Sequence, residues 1–144
     1  MRNKAIWCAL SLFAQLFISQ AATADQKWFS VKEVCGNLQV DGSSPGSVTY
    51  SVLLAAAKHL PCCEGTKKVA EGKTDANGRF EVPDLQPGQY FFVAAVDSHK
   101  YVFPVWMDSV NKNYCTSSLD QSFRANSTTG ETGITIEAHS YKSQ

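Results

Sequence analysis

The sequence predicts an all-β protein, a single β-sandwich of about seven strands of the Greek-key type, preceded by an export signal. Short runs of β-branched and aromatic residues recur along the chain, and clusters of Gly, Pro, Asn and Asp separate them. No segment forms a convincing helix. Short extended segments joined by frequent turns are typical of two packed sheets, rather than of strands that alternate with helices.

The first 24 residues have the three parts of a secretory signal peptide. Arg2 and Lys4 give a positive start, residues 5–18 are uncharged and apolar, and Ala22-Thr23-Ala24 places small residues where a signal peptidase cuts. The apolar run of 14 residues is short for a bilayer span, and no later segment is long enough. We therefore expect a soluble mature chain from Asp25, without stable membrane insertion. A permanent membrane anchor is the alternative.

The mature chain, residues 25–144, has the length of one domain. Without Arg2 and Lys4 it carries 11 basic and 13 acidic residues, so its net charge is near −2. It has no basic block, which argues against nucleic acid and anionic lipid as partners. We expect a secreted or periplasmic protein, and the style of the signal favours a bacterial periplasm. The sequon at Asn126-Ser127-Thr128 matters only in a eukaryotic secretory pathway.

Four cysteines remain after cleavage, and an even number on an exported chain predicts two disulfides: Cys35, Cys62, Cys63 and Cys115. Three pairings are possible. A bond between the neighbours Cys62 and Cys63 is the least expected, because it requires an unusual peptide geometry. We expect Cys35 and Cys115 each to pair with one of these neighbours. Zinc is the alternative, but adjacent cysteines lack the two-residue gap that lets both thiolates reach one ion.

The first half of the mature chain contains four predicted strands, at residues 31–40, 47–54, 69–74 and 79–82. Residues 41–46 are rich in turn formers and predict a loop between the first two strands. Residues 55–60 can form one helical turn, which Pro61 would end.

The second half contains three more predicted strands. Residues 89–96 are apolar on both faces, which indicates a strand in the interior of a sheet. Residues 101–107 are also strand-like, but Pro104 cannot donate to a ladder and predicts an edge or a bulge. Residues 108–126 predict a mostly polar loop that Leu119 and Phe123 anchor, and residues 133–138 predict a last alternating strand before a free polar tail.

The segment Asp75-Ala76-Asn77-Gly78 admits two interpretations, a metal loop or a turn between strands. As a turn, the Asp75 side chain caps it, and Asn77 or Gly78 supplies a positive φ. Calcium would need six to eight oxygen ligands, and the following residues do not supply them. We favour the turn. Pro87-Gly88 predicts a second turn, of type II.

Residues of both turns carry a resemblance to a known family: Thr74-Asp75, Gly78, Phe80, Leu85, Pro87-Gly88 and Tyr90. They resemble the signature of carboxypeptidase regulatory-like domains, within the wider transthyretin-like, or prealbumin-like, group of β-sandwiches. The likeness is sharp over residues 69–96 and looser elsewhere. It implies that the turn residues are structural. It indicates fold better than function, because the family includes accessory domains of peptidases, adhesion modules and other exported proteins.

No pattern in the sequence indicates catalysis or a cofactor. His59, His99 and His139 lie far apart, with no HxH or HxxxH spacing, and no Gly-x-Ser-x-Gly elbow presents a serine. The transthyretin resemblance brings in the hydroxyisourate hydrolases, which end in tyrosine-arginine-glycine-serine and hold paired histidines. The present tail, Ser140-Tyr141-Lys142-Ser143-Gln144, lacks the arginine that grips a planar substrate. We expect no enzyme, no cofactor and no metal.

The remaining question is the ligand or partner, which is an unknown protein or glycan of the envelope or the extracellular space. Trp106 and Tyr101 are candidate ligand-facing aromatics, with Trp28 and Phe103 beside them, although such rings more often fill the core. The sequence predicts a non-catalytic module that binds a protein or envelope partner through loops or an edge strand. A carbohydrate-binding module is the first alternative, and a transthyretin-related hydrolase is the last.

Overall fold

The computed structural model describes residues 28–55, 62–63, 65–108 and 119–138. These ranges form nine strands and contain no helix, so in the described part of the chain nothing resembles a membrane-spanning helix. The strands are β1 (Phe29–Val31), β2 (Val34–Val40), β3 (Thr49–Leu54), β4 (Lys67–Lys73), β5 (Arg79–Val82), β6 (Gly88–Val96), β7 (His99–Met107), β8 (Leu119–Ala125) and β9 (Thr132–Ala138). The predicted signal peptide, the helical turn after Ala55 and the C-terminal tail lie outside the described residues.

The strands form two mixed sheets that pack face to face. The five-stranded sheet has the order β1-β7-β6-β3-β4, and the four-stranded sheet has the order β5-β2-β8-β9. Two pairs are parallel, β1 with β7 and β2 with β8, and the other pairs are antiparallel. The all-β prediction is confirmed, and the architecture is that of a β-sandwich.

The core between the sheets is largely aromatic. Phe80 of β5 stacks on Phe92 of β6 across the sandwich, with ring centroids 4.4 Å apart. Phe123 of β8 meets the edge of Phe92 at 5.3 Å and lies 5.2 Å from Phe103. Such contacts between rings add to the stabilisation that comes from burial alone. Residues 89–96 were predicted to lie inside a sheet, and β6 does lie between β7 and β3 with Phe91 and Phe92 buried on opposite faces.

The first predicted strand, residues 31–40, is divided between the two sheets. Val31 ends β1 in the five-stranded sheet, and Val34 begins β2 in the four-stranded sheet. Both valines are buried in the same core. Residues three apart point to opposite faces of a single strand, so both can face the core only if the strand breaks between them. The prediction of one continuous strand is therefore wrong.

The predicted polar loop at residues 108–126 contains a strand that the sequence analysis missed. Residues 119–125 form β8, which lies between β2 and β9. Phe123 is fully buried, as predicted for an anchor, and Ala125 faces the same core while Arg124 is exposed. The inward position before Phe123 holds Gln121, and this polar residue hides the alternation expected of a strand.

Pro104 lies within β7 rather than at a bulge. The register between β6 and β7 runs through Pro104, opposite Phe91, without a shift. The parallel partner β1 pairs only with Val105 to Met107, so at Pro104 the described neighbour lies on one side only. Because no described strand pairs with β7 on the other side of Pro104, the missing N–H breaks no ladder among the described residues. The prediction of a bulge at Pro104 is wrong. β7 lies between β1 and β6, and it resembles an edge strand only at Pro104, beyond the end of its pairing with β1. The other predicted strands agree with the structure within two residues.

Candidate functional site

The Asp75–Gly78 segment is a turn whose cap is the Asp75 side chain. Its Oδ1 accepts hydrogen bonds from the backbone N–H groups of Asn77 (2.8 Å) and Arg79 (2.9 Å). The main chain adds two more bonds between the turn ends. Gly78 takes the positive φ, 78°, where glycine has no steric penalty. The turn prediction for Asp75 and Gly78 is confirmed, and Asn77 does not carry the positive φ.

This turn is packed against the loop after β2. A Cβ atom at Gly78 would lie 2.6 Å from the carbonyl oxygen of Leu38 and 2.9 Å from Ser44 Oγ. The Leu38 N–H donates to the Gly78 carbonyl at 2.8 Å. The donors to Asp75 Oδ1 are both main-chain N–H groups. Glycine at position 78 lets the turn approach Leu38 and Ser44 closely. Within the described ranges, no cluster of three or more His, Cys, Asp or Glu side chains is placed to hold a metal ion.

The Pro87-Gly88 segment does not form the predicted type II turn. Gly88 is the first residue of β6 and has a φ of 158°, whereas a type II turn needs about 80° at that position. The residue of this connection whose φ is close to the left-handed value is Asp84, at 63°. The Tyr90 hydroxyl donates to the Gln86 carbonyl at 2.6 Å and fixes the start of β6. Burial raises the pKa of Tyr90.

Thr74 joins the turn to the start of β3 and is a structural residue that the sequence analysis did not single out for this role. It is buried, its Oγ1 accepts from the Val48 N–H at 2.9 Å, and the same hydroxyl donates to the Gly46 carbonyl at 2.8 Å. The Ser47 hydroxyl donates to the Thr74 carbonyl at 2.8 Å. The geometry of this end of the sandwich therefore depends on hydrogen bonds between side-chain hydroxyls and main-chain groups.

The loop after β2 is also joined to the turn between β8 and β9. Asp41 accepts hydrogen bonds from the Ser127 N–H at 3.0 Å and from the Ser127 hydroxyl. These bonds lower the pKa of Asp41. Asn126, the sequon asparagine, is exposed, and its Oδ1 accepts from the N–H groups of Thr128 (2.9 Å) and Thr129 (3.2 Å). Asp41 and Asn126 thus stabilise the loops at this end of the sandwich through hydrogen bonds.

A shallow depression opens at the same end of the sandwich. Its volume is about 500 Å³, and Val40, Val48 and Val96 form part of its lining together with Thr49 and Asp97. It is open to solvent. Ligand pockets are usually enclosed and converge several polar groups on the ligand, so this depression has little of what a small-molecule site needs.

Gln121 is a buried polar residue that the sequence analysis missed. It is 2% exposed, and its Nε2 donates to the carbonyl oxygens of Glu33 (2.9 Å) and Cys35 (3.0 Å). Its Oε1 is buried and accepts no hydrogen bond from the described residues. Gly36 has a φ of 133°, and a Cβ atom there would overlap the Gln121 carbonyl oxygen. The close approach of β2 and β8 therefore requires glycine.

The candidate ligand-facing aromatics differ in exposure. Tyr101 is 4% exposed and Phe103 is fully buried, so the proposal of Tyr101 as a ligand-facing residue is wrong. Trp28 is half-buried, with its ring 5.0 Å from that of Phe91. Trp106 alone is open, at 47% exposure, because it faces away from the core that Val105 and its alternate neighbours fill.

The predicted cysteine pairing differs from the structure. The sulfur atoms of Cys62 and Cys63 are in direct contact, and the cis peptide bond between them brings their Cα atoms to 3.0 Å. This is the pair that the sequence made least expected. Cys35 is buried on β2, and Cys115 lies outside the described residues. His59 and His139 also lie outside them, and His99 is exposed at the start of β7.

Two long edge strands, β4 and β9, differ in how they are protected. β4 carries Lys67, Lys68 and Lys73, and its register with β3 is interrupted. Lysines and bulges are common protections against edge-to-edge pairing. β9 carries neither: its ladder with β8 has no irregularity, its only charged residue is Glu137, and Ile136 is 45% exposed. At its start, Thr132 Oγ1 donates to the Val102 carbonyl of β7 at 2.8 Å.

Comparisons with known proteins add no family to this description. No protein-family model matches the chain, and neither a curated protein nor a solved structure shows a significant similarity to it. The described residues define an all-β protein of two sheets, in which no described strand pairs with the outer edge of β9.

Proposed function

We propose that the chain is an exported, non-catalytic β-sandwich module of the transthyretin-like type that binds a protein partner through the edge of β9. The observation that carries this proposal is the contrast between the two long edges. β4 has three lysines and an irregular register, whereas β9 has a regular ladder and carries no charged residue besides Glu137. An unprotected edge is a template for another strand.

The main chain of β9 supports this use. The Asn126 N–H donates to the Glu131 carbonyl at 2.8 Å, next to the first pair of the β8–β9 ladder. Residue pairs along an antiparallel ladder alternate between hydrogen-bonded and non-hydrogen-bonded. In the observed register, Ile134 and Ile136 therefore direct their N–H and C=O groups away from β8. A strand added to β9 would bond to these groups.

The non-catalytic part of the proposal is supported by the roles of the polar side chains. Asp75 and Asp41 accept hydrogen bonds from turn residues, and Thr74 and Gln121 bond to main-chain groups. These contacts account for the motif residues on geometric grounds. The carboxypeptidase regulatory-like resemblance agrees with such a module, because the same turn residues carry it.

We also propose that the mature chain is exported and holds two disulfides, Cys62–Cys63 and Cys35–Cys115. The sulfur contact between Cys62 and Cys63 supports the first bond. Cys35 is buried on β2, and Cys115 is the remaining cysteine after the predicted cleavage, so the even number of cysteines leaves these two to pair. Mass spectrometry of the intact, non-reduced protein tests the cleavage site and the number of disulfides. It should give a mass that begins near Asp25 and is about 4 Da below that of the tetrathiol form, since each bond removes two hydrogens.

Site-specific photo-crosslinking in the native host tests the binding proposal. A photoreactive amino acid replaces Ile136 on β9 in one variant and Val69 on β4 in the matched control. Val69 is 42% exposed against 45% for Ile136, so the two probes have similar access to solvent. We expect adducts of defined mass from position 136 and none from position 69. Equal labelling at both positions, or no adduct at 136, would reject β9 as the binding edge.

Carbohydrate binding is the second candidate, and the exposure of Trp106 is the observation that favours it. An exposed indole can stack on the apolar face of a sugar ring. Tyr101 and Phe103 are buried, so Trp106 has no exposed partner among these rings. Titration with envelope oligosaccharides, followed by tryptophan fluorescence in the protein and in Trp106→Ala, tests this function. A saturable change that the substitution abolishes would support it.

A further inference from the structure

We propose that Asn77 is a site of spontaneous deamidation and that the side chain of Asp75 controls the rate of this modification. The site lies in the turn between β4 and β5, where Asn77 precedes Gly78. The Asn77 side chain is exposed, and the hydrogen bond that this residue makes within the described chain comes from its main-chain N–H. Its side-chain amide is therefore accessible for reaction.

The reaction needs only the chain and water. The main-chain nitrogen of Gly78 loses its proton to a base in the solvent and forms a bond to Cγ of Asn77. The bond from Cγ to the side-chain nitrogen breaks, and that nitrogen takes up a proton from solvent and leaves as ammonia. Water then opens the resulting succinimide ring at either carbonyl, which gives aspartate or an isoaspartate whose main chain runs through Cγ. Glycine favours the attack because it has no Cβ to crowd its nitrogen.

The fold fixes the neighbour that promotes the reaction, but it does not fix the residue that is modified. Gly78 has a φ of 78°, and a Cβ atom there would lie 2.6 Å from the Leu38 carbonyl oxygen, so the turn requires glycine at this position. Asn77 has no positive φ, and its side chain bonds to none of the described residues. The turn should therefore tolerate other residues at position 77, and these would remove the reaction.

Hydrogen bonds within the turn hold it in a form that slows the attack. The Gly78 N–H, whose nitrogen must attack, donates to the Asp75 carbonyl at 3.0 Å. The Asp75 side chain accepts from the N–H groups on either side, those of Asn77 (2.8 Å) and Arg79 (2.9 Å). The turn must open before the Gly78 nitrogen can reach Asn77 Cγ. A cap of this kind changes the open fraction by about 2- to 30-fold, and the rate should change by the same factor.

The isoaspartate product does not fit the closed turn. It adds one carbon atom to the main chain between Asn77 and Arg79, whose N–H groups both donate to Asp75 Oδ1. Gly78 is packed against Leu38, and its carbonyl accepts from the Leu38 N–H at 2.8 Å. A longer main chain shifts Gly78 and breaks these contacts. Deamidation should thus open the turn and add a negative charge close to Asp75.

Peptide mapping by mass spectrometry tests this inference on the mature protein, kept folded in warm neutral buffer for several weeks. Trypsin cuts after Lys73 and Arg79 and isolates the turn as one peptide, in which the exchange of NH₂ for OH adds mass. We expect aspartate and isoaspartate, which separate by retention time, to accumulate at Asn77. Asp75→Ala should accelerate their formation by about 2- to 30-fold. Asp75→Asn keeps the acceptor and should leave the rate nearly unchanged, and in urea all three proteins should react equally fast.

A second exposed asparagine, Asn126, is an internal reference in the same digests. The nitrogen that would attack its side chain belongs to Ser127, which carries a side chain and donates its N–H to Asp41 Oδ1 at 3.0 Å. Asn126 Oδ1 also accepts two main-chain N–H groups of its own loop. Asn126 should stay unmodified while Asn77 is converted. Asn77→Gln should abolish the product at position 77 and leave the Tm nearly unchanged.

Three results would overturn the inference. The first is the absence of product at Asn77 in the folded protein over a period in which the urea-unfolded protein is converted. The second is an equal rate in the folded protein and in folded Asp75→Ala, which would reject control by Asp75. The third is equal modification of Asn126. Circular dichroism shows whether each variant is folded. If Asp75→Ala is unfolded, the protein itself decides: equal rates with and without urea would reject protection by the turn.

Discussion

Replacement of Asp75 by alanine tests whether the Asp75–Gly78 segment is a turn or a metal loop. The substitution removes the acceptor of two hydrogen bonds, from the N–H groups of Asn77 (2.8 Å) and Arg79 (2.9 Å). A capping side chain of this kind contributes about 0.5–2 kcal/mol, and two exposed bonds to a carboxylate fall within that range. We therefore expect Asp75→Ala to lower the free energy of unfolding by about 1–2 kcal/mol.

Urea denaturation and thermal melting, followed by tryptophan fluorescence and circular dichroism, measure this loss. For a domain of this size, 1–2 kcal/mol corresponds to a decrease in Tm of about 4–10 °C. Asp75→Asn is the matched control, since it keeps the Oδ1 acceptor and removes the charge. It should lose less than half as much stability as Asp75→Ala, with or without calcium and with or without a chelator.

A metal loop would give a different pattern. Calcium would then raise the Tm of the protein, and a chelator would lower it, because a ligand that binds the folded state stabilises it by mass action. Asp75→Asn would then be as damaging as Asp75→Ala, because a neutral amide is a weaker calcium ligand than a carboxylate. Either observation would refute the assignment of Asp75 as a turn cap.

The other predictions concern the opposite end of the core, an ionised loop contact and the second disulfide. Gly36→Ala should destabilise the protein by more than about 3 kcal/mol, or prevent folding, because its Cβ overlaps the Gln121 carbonyl; expression yield and urea midpoints measure this. Gln121→Leu should lower the free energy of unfolding by about 2–4 kcal/mol, since the Cys35 carbonyl, whose bond is buried, and the Glu33 carbonyl, whose bond is part-buried, lose their donor, and chemical denaturation measures it. The lowered pKa of Asp41 means that its contact with Ser127 is fully present above the ordinary value of 3.8 and is lost as the pH falls through the lowered value; in a titration followed by NMR, Ser127→Ala should move the midpoint of Asp41 up towards 3.8. Cys35→Ser should lower the free energy of unfolding by about 2–4 kcal/mol, and a reductant should then have little further effect on the melting curve.

The sequence was most informative where alternation and turn chemistry act locally. β6 was placed in the interior of its sheet because both of its faces are apolar, and Phe91 and Phe92 are buried on opposite faces. The cap by Asp75 was predictable because the side chain and the N–H groups it accepts are within four residues. Such features depend on neighbours in the chain, which the sequence displays directly.

Features that depend on distant partners were not predictable in this way. Tyr101 and Trp106 belong to the same strand, and only the packing of the second sheet decides that one is buried and the other exposed. The open edge of β9 depends on the order of strands in the sheet, and strand order follows from long-range pairing that residue patterns do not specify.

The sequence analysis missed both the division between β1 and β2 and the strand β8. Gln121 is involved in both. Where the chain passes from β1 to β2, the carbonyls of Glu33 and Cys35 both accept a hydrogen bond from Gln121 Nε2, before the ladder between β2 and β8 begins at Asn37. A buried carbonyl needs a donor, and Gln121 supplies one from the inward face of β8. The polar residue that made β8 look like a loop therefore makes the crossing between the sheets possible. An apolar residue at position 121 would have improved the alternation of β8 and removed the donor that this crossing requires.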